Sequence, residues 1–408
     1  MPVRARSWSL LAFAMLWACK PEPSVDPEEA TSEAQDAETG DVASHAPAVP
    51  ATPMPDPAEP RERPELAEVH GLPEALVAAS SGNPEGAIAF LEPAHKKEPA
   101  STEIALALAA AKWQVGDYAK AISLVEGVLA RVKDPVEKSD LHLWLASMHE
   151  FLGDAAKADA AIVAADKLTP ARIEVKGMRL QSWMRWGKSE TPEARALMES
   201  LYDDYDSSAA DTAAELLAVG RAAIARGSGG AFQDANMVLS DAEALEPASK
   251  ASRLADEILI LHAKIFTEKY ASGEAGATLA IILERDAWNP TALAELSAVH
   301  LKQLQLADAQ RTAREALMVN PREPTAHATL ARIDLIEGRR DEARKRLRES
   351  VFSINPHHTD GLAAAAALAI FDADQAGYAK ARDAALAWHP QASLFFTSLS
   401  DLLGFLHL

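Results

Sequence analysis

Residues 153–170 read GDAAKADAAIVAADKLTP, with glycine at the front, alanines at Ala158 and Ala165, and proline at the end. Each position has a physical reason. Glycine accepts the left-handed backbone that ends one helix and turns the chain. Ala158 and Ala165 lie seven residues apart, two turns along one helix face, where small side chains let a neighbour approach closely. Pro170 has no amide hydrogen to continue the ladder, so it stops the second helix. Upstream, DLHLWLASMHEFLG over 140–153 carries the apolar spacing of another helix. The stretch predicts two helices joined by a tight turn.

The same spacing recurs along the chain. Gly82, Ala87, Ala94 and Pro99 keep it, as do Gly230, Ala235, Ala242 and Pro247. Ala309, Ala316 and Pro321 keep the last three positions, with Leu304 in place of the glycine, while Gly273 and Pro290 keep the ends. GDYAKAI from Gly116 and GRRDEARKRL from Gly338 show the same turn followed by a helix. Each unit is therefore a helix hairpin of about 34 residues, and this pattern resembles the tetratricopeptide repeat family. His142 stands where that family usually has tryptophan, and the units ending near Pro290, Pro356 and Pro390 have lost some small residues. The resemblance implies an all-α, right-handed superhelical solenoid of about nine stacked hairpins plus an incomplete last one, over residues 61–408.

The amino end reads differently. Arg4 and Arg6 precede an apolar run from Trp8 to Trp17, the length of a signal-peptide core and too short to span a bilayer comfortably. Leu16-Trp17-Ala18 then leads into Cys19, the one cysteine of the chain. This resembles the lipobox of bacterial lipoproteins, although Trp17 replaces the usual small or β-branched residue. The resemblance implies that residues 1–18 are a signal peptide and that Cys19 is lipidated and becomes the new amino terminus. More than one acyl chain suffices for stable anchoring. Lys20 follows the cysteine where aspartate would imply retention at the inner membrane, so the implied location is the outer membrane, facing the periplasm. Residues 19–60 hold nine prolines, ten acids and almost nothing large and apolar. Such a segment cannot offset its ordering entropy by burial and is expected to be a disordered tether.

Composition excludes several functions. The net charge of -20 disfavours a nucleic-acid partner, because phosphate binding needs a basic face. A single cysteine allows neither an intramolecular disulfide nor a CxxC pair. No HExxH, GxSxG, P-loop or dinucleotide fingerprint is present. His142 and His149 lie two helical turns apart, too far to share one metal without other ligands, and His357-His358 reads as a turn and helix start. YDDYDSSAAD over 202–211 lacks the glycine and terminal glutamate of a calcium loop and reads as a solvated inter-repeat loop. No enzyme, metal or cofactor is expected.

What remains is binding. In the tetratricopeptide family the first helix of each hairpin lines the concave groove. Carried over, this implies Trp113, Glu150, Phe151 and Lys176 as groove residues, followed by Arg179, Trp183, Trp186, Tyr270 and Lys302. KGMRLQSWMRWGK over 176–188 sets two tryptophans among basic residues, suited to a peptide ending in acids. The competing expectation is that Trp183 and Trp186 simply pack between repeats. The chain closes with LFFTSLSDLLGFLHL over 394–408, an apolar helix lacking its hairpin partner. It is expected to expose an apolar stripe and support self-association, or to mark the front part of a longer protein. The expected function is a membrane-anchored scaffold for other envelope proteins or peptides. The alternative is the targeting and docking half of a longer envelope enzyme, such as a zinc peptidase.

Overall fold

Gly82, Gly116, Gly153 and Gly338 all adopt the left-handed backbone expected of hairpin turns, with φ of 76°, 79°, 72° and 80°. Leu304 takes the same conformation at φ 58° without being glycine. The structure, a computed structural model, describes residues 59–408 apart from 80–81, 189–190, 227–228, 248–251, 270, 389–392 and 407–408. The expected signal peptide, Cys19 and nearly all of the expected tether lie outside the described residues.

The array is all-α among the described residues. Nine hairpins follow one another: α1 (Leu72–Ala78) with α2 (Pro84–Lys97), α3 (Thr102–Gln114) with α4 (Tyr118–Leu129), and α5 (Pro135–Phe151) with α6 (Ala155–Leu168). Next come α7 (Ile173–Arg185) with α8 (Pro192–Asp206), α9 (Ala213–Arg226) with α10 (Gly229–Leu245), and α11 (Arg253–Glu268) with α12 (Ser272–Arg285). The last three are α13 (Pro290–Lys302) with α14 (Leu306–Val319), α15 (Pro324–Ile336) with α16 (Arg340–Arg346), and α17 (Thr359–Phe371) with α18 (Gln375–Trp388). A π-helical stretch, Leu347–Val351, extends α16, and α19 (Ser393–Phe405) ends the described array. The result is a superhelical solenoid of stacked hairpins.

Local chemistry sets the helix ends. The side chains of Asn83, Ser101, Asp134, Asp154, Ser252 and Asn289 each accept from a backbone amide at a helix start. Pro135, Pro192, Pro290 and Pro324 stand at first helical positions, where the missing amide is no loss. Pro290 thus opens α13 instead of closing the unit before it. Gly230 and Gly273 likewise fall inside the first turns of α10 and α12, not in the turns ahead of them. YDDYD over 202–206 forms the end of α8, with the chain turning only at Ser208 (φ 59°). Seven of the eight repeated alanines behave as expected, while Ala94 is only partly buried. Ala87, Ala158, Ala165, Ala235, Ala242, Ala309 and Ala316 are fully buried, so helices pack with little between them.

The hairpins do not touch only their neighbours. Tyr118 Oη donates to the Arg322 carbonyl at 3.1 Å and accepts from Asn320 Nδ2 at 3.0 Å. Arg322 Nη1 donates to the Gly116 carbonyl at 3.2 Å, and Asn355 Nδ2 to the Phe151 carbonyl at 3.0 Å. These partners lie 202 to 206 residues apart, about six repeats of roughly 34 residues. The superhelix therefore comes full circle, and its second turn sits on its first.

One motif builds this seam three times. Asp286, Asn320 and Asn355 each cap their own loop, accepting from the amides of Trp288, Arg322 and His357. Each side chain is set against a turn glycine of the first turn: Asp286 on Gly82, Asn320 on Gly116, Asn355 on Gly153. A Cβ at Gly116 or Gly153 would stand 2.3 or 2.5 Å from the asparagine oxygen. These glycines serve both the left-handed turn and the close approach of the next superhelical turn. At the front of the array, Arg61 grips Glu315 of α14, with Nε and Nη2 at 2.9 and 2.8 Å from its two carboxylate oxygens, and the Arg61 amide adds a third bond. The Arg61 and Arg63 guanidinium groups both lie over the Trp288 ring.

The last helix is largely covered. Phe395, Leu399 and Leu402 are buried in one cluster with α17 residues, while Phe396 stays exposed. Ser398 Oγ donates to Asp360, and Asp401 lies 3.6 Å from Lys302 of α13.

Candidate functional site: the inner surface of the first helices

The first helices of the hairpins share one surface, and two cavities open on it. Every residue lining either cavity comes from a first helix, from a loop leading into one or from a residue just after one.

The aromatic cavity has a volume of about 310 Å³. Trp113 of α3 and Trp144, Met148 and Phe151 of α5 form one wall, and Ile260 and Leu261 of α11 another. Trp113 is locked between Tyr118 and Phe151, at ring-centre distances of 4.7 and 5.2 Å. Trp144 is held by the Arg253 guanidinium, 5.0 Å from its ring centre. Arg221 and Arg253 share one carboxylate, Glu257, at 3.4 and 3.6 Å. Burial opposes the charge on Glu257, but the two guanidinium groups outweigh it and hold its pKa below the ordinary value.

The second cavity, about 560 Å³, is polar. It is lined by Lys264 and Glu268 of α11, Glu295 and Lys302 of α13, Arg332 of α15, and Asp360 of α17. Lys264 lines both cavities and pairs with Glu295 at 2.9 Å, which raises its pKa. Burial lifts Glu268 to about 7. Arg332 is only 2 % exposed and lies 3.5 Å from Asp360. Burial drives His358, the cap of α17, down to about 4, which keeps its ring neutral at physiological pH. Among the described residues, no group of three or more His, Cys, Asp or Glu side chains is placed to hold a metal ion.

The residues singled out from the sequence divide into groups. Trp113 and Phe151 meet in the aromatic cavity, and Lys302 lines the polar one, donating to the Thr267 carbonyl at 3.0 Å. Glu150 pairs with the buried Arg185, tying α5 to α7. Lys176 binds Asp204 of α8 at 2.7 Å. Arg179 binds Asp166 of α6 at 3.0 Å and lies over the Trp183 ring. Trp186 donates its indole hydrogen to Asp159 of α6, which also accepts from Ser182. The basic and aromatic stretch over 176–188 thus finds its partners inside the array. There Gly177 lets α7 cross α9 so closely that a Cβ would stand 2.7 Å from the Ala218 carbonyl oxygen. Tyr270 and Cys19 lie outside the described residues. The structure adds Trp144, Arg253, Lys264 and Arg332. Trp144 carried a usable signal, since it sits two turns before Phe151 on the same apolar helix; the three cations carried none.

A solenoid of helix hairpins with an inner surface of first helices is the architecture of tetratricopeptide repeats. Residues 78–137 match the family model described as Tetratricopeptide repeat. Among solved structures, the chain is similar to a tetratricopeptide repeat protein from Parabacteroides merdae, at 12 % identity and a TM-score of 0.42, covering 65 % of this chain and 99 % of that one. It is also similar to Pseudomonas aeruginosa pilF, at 15 % identity and a TM-score of 0.29, covering 66 % and 99 %. Human IFIT1, solved as a dimer with PPP-AAAA, matches at 12 % identity and a TM-score of 0.45, covering 74 % and 77 %. Comparison with curated protein sequences gives no match.

Proposed function

We propose that this protein is a non-catalytic scaffold, tethered by a lipid on Cys19 to the outer membrane of a bacterial envelope, that holds other envelope proteins through segments laid on its inner surface. The observation that carries the binding role is the continuous inner surface of first helices with its adjoining aromatic and polar cavities, joined at Lys264. Rigid aromatic walls supply contact area, and the buried charges supply orientation. The anchoring role rests on the sequence around Cys19 and on the acidic, proline-rich stretch after it. Two experiments test the two parts. Cys19→Ser should release the protein from the membrane fraction; a variant that sediments with membranes as firmly as the wild type removes the anchor. Displayed random peptides should yield binders that compete with one another for the purified array; a library from which nothing is retained removes the binding role.

A further inference from the structure

The aromatic cavity belongs to neither superhelical turn alone. Trp113, Trp144 and Phe151 come from the second and third hairpins, whereas Arg253, Ile260 and Pro290 come from the sixth and seventh. The seam brings these walls together. At about 310 Å³ the cavity is at the small end of ligand pockets. It has room for one or two large side chains but not for a helix about 10 Å across.

Its charge pattern narrows the ligand further. Asp256 is paired with Arg285, and Lys264 with Glu295. Arg221 and Arg253, by contrast, have the single carboxylate of Glu257 between them. This corner of the cavity therefore carries a surplus positive charge in a protein whose net charge is -20. Arg253, with more than half of its side chain exposed, stands at the rim over Trp144.

We infer that this inter-turn cavity binds a bulky aromatic side chain with a carboxylate next to it, presented by an extended peptide segment. The inference rests on the reading of the array as a polypeptide-binding scaffold. The aromatic ring fills the space between Trp113, Phe151 and Leu261, and the carboxylate meets Arg253 and Arg221. Because the two walls come from different turns, an occupied cavity holds the seam shut, and a weakened seam lowers affinity.

The test uses the array with a fluorescein-labelled, amidated hexapeptide, Gly-Ser-Trp-Glu-Ser-Gly, followed by anisotropy. Alanine for its tryptophan should weaken binding about tenfold or more, the scale of losing a buried interface aromatic. Lysine for its glutamate should weaken binding about threefold or more, and added salt should shrink that difference. Arg253→Gln should abolish the preference for glutamate over lysine. Asn320→Ala, which does not line the cavity but removes the bond to Tyr118 behind Trp113, should reduce affinity about threefold by loosening the seam. A second peptide ending in a free carboxylate directly after tryptophan, compared with its amide, decides whether a chain terminus or an acidic side chain supplies the charge. Equal binding of the tryptophan and alanine peptides, or an intact glutamate preference in Arg253→Gln, overturns the inference. If the array retains library peptides that lack this pair and ignores the hexapeptide, the ligand class is wrong while the scaffold reading stands. If it retains no peptide at all, both fall.

Discussion

Replacing Gly116 by alanine should destabilise the array by about 2–5 kcal/mol, and the excess over a matched control measures the seam. Two terms contribute. An L-residue held in the left-handed region costs roughly 1–2 kcal/mol. The new methyl would also stand 2.3 Å from Asn320 Oδ1 and 3.1 Å from Arg322 Cβ. That oxygen cannot swing aside freely, because it accepts from the Arg322 amide while Nδ2 of the same side chain donates to Tyr118 and Glu323. Overpacking of this kind costs roughly 1–3 kcal/mol. Gly338 supplies the control: its φ is 80°, and a Cβ there meets nothing within 4 Å. Gly338→Ala should thus show the backbone term alone, roughly 1–2 kcal/mol. Gly153→Ala should resemble Gly116→Ala, and Gly82→Ala should fall between, since its Cβ would stand 3.1 Å from Asp286. Urea unfolding followed by circular dichroism gives the sizes, and hydrogen exchange locates the loosened hairpins. Adding Asn320→Ala to Gly116→Ala should recover about 1 kcal/mol or more through the coupling of neighbouring sites. If Gly116→Ala costs no more than Gly338→Ala, and the double variant recovers nothing, the two superhelical turns are not in contact at this point.

Three further outcomes are expected. Arg61→Ala strips the buried Glu315 of its bidentate partner and should cost about 3 kcal/mol in urea unfolding, with Glu315→Gln restoring part of the loss. Burial lifts the Glu323 carboxyl from its ordinary 4.5 to about 8, so the folded state holds a proton that the unfolded chain has released. Its contribution is fully present below pH 4.5 and is lost as pH rises through 8, and Glu323→Gln should flatten that decline and raise the urea midpoint at pH 8.5. Phe395→Ala should cost about 3–5 kcal/mol, as a buried aromatic does, whereas Phe396→Ala at its exposed neighbour should stay within about 0.5 kcal/mol.

The hairpins were legible because their signals are local. A glycine, two alanines and a proline within eighteen residues describe one turn and one helix face, and the buried Ala158 and Ala165 are what that reading requires. Where the expected position shifted, as at Gly230, Gly273 and Pro290, the residue lies in the first turn of a helix, a place that suits the proline. The seam was not legible. Contacts between Tyr118 and Asn320 depend on the curvature summed over all the hairpins between them, and no short window carries that sum. The inner surface was half legible: the rule for first helices found Trp113, Phe151 and Lys302, but it could not know that α7 leans on α9 through Gly177. Nor could it know that Lys176, Arg179 and Trp186 find partners on α6 and α8.

Arg61 has a mechanical consequence. The chain enters the array at a point where one side chain is already clamped to Glu315, and Arg63 is clamped to Glu85 of the first hairpin. A pull on the backbone at this point would therefore load two superhelical turns at once. It would not peel the first hairpin away from the second. The load would pass through Glu315 into the seventh hairpin as well as through Glu85 into the first, so the seam shares a force that the first hairpin would otherwise carry alone.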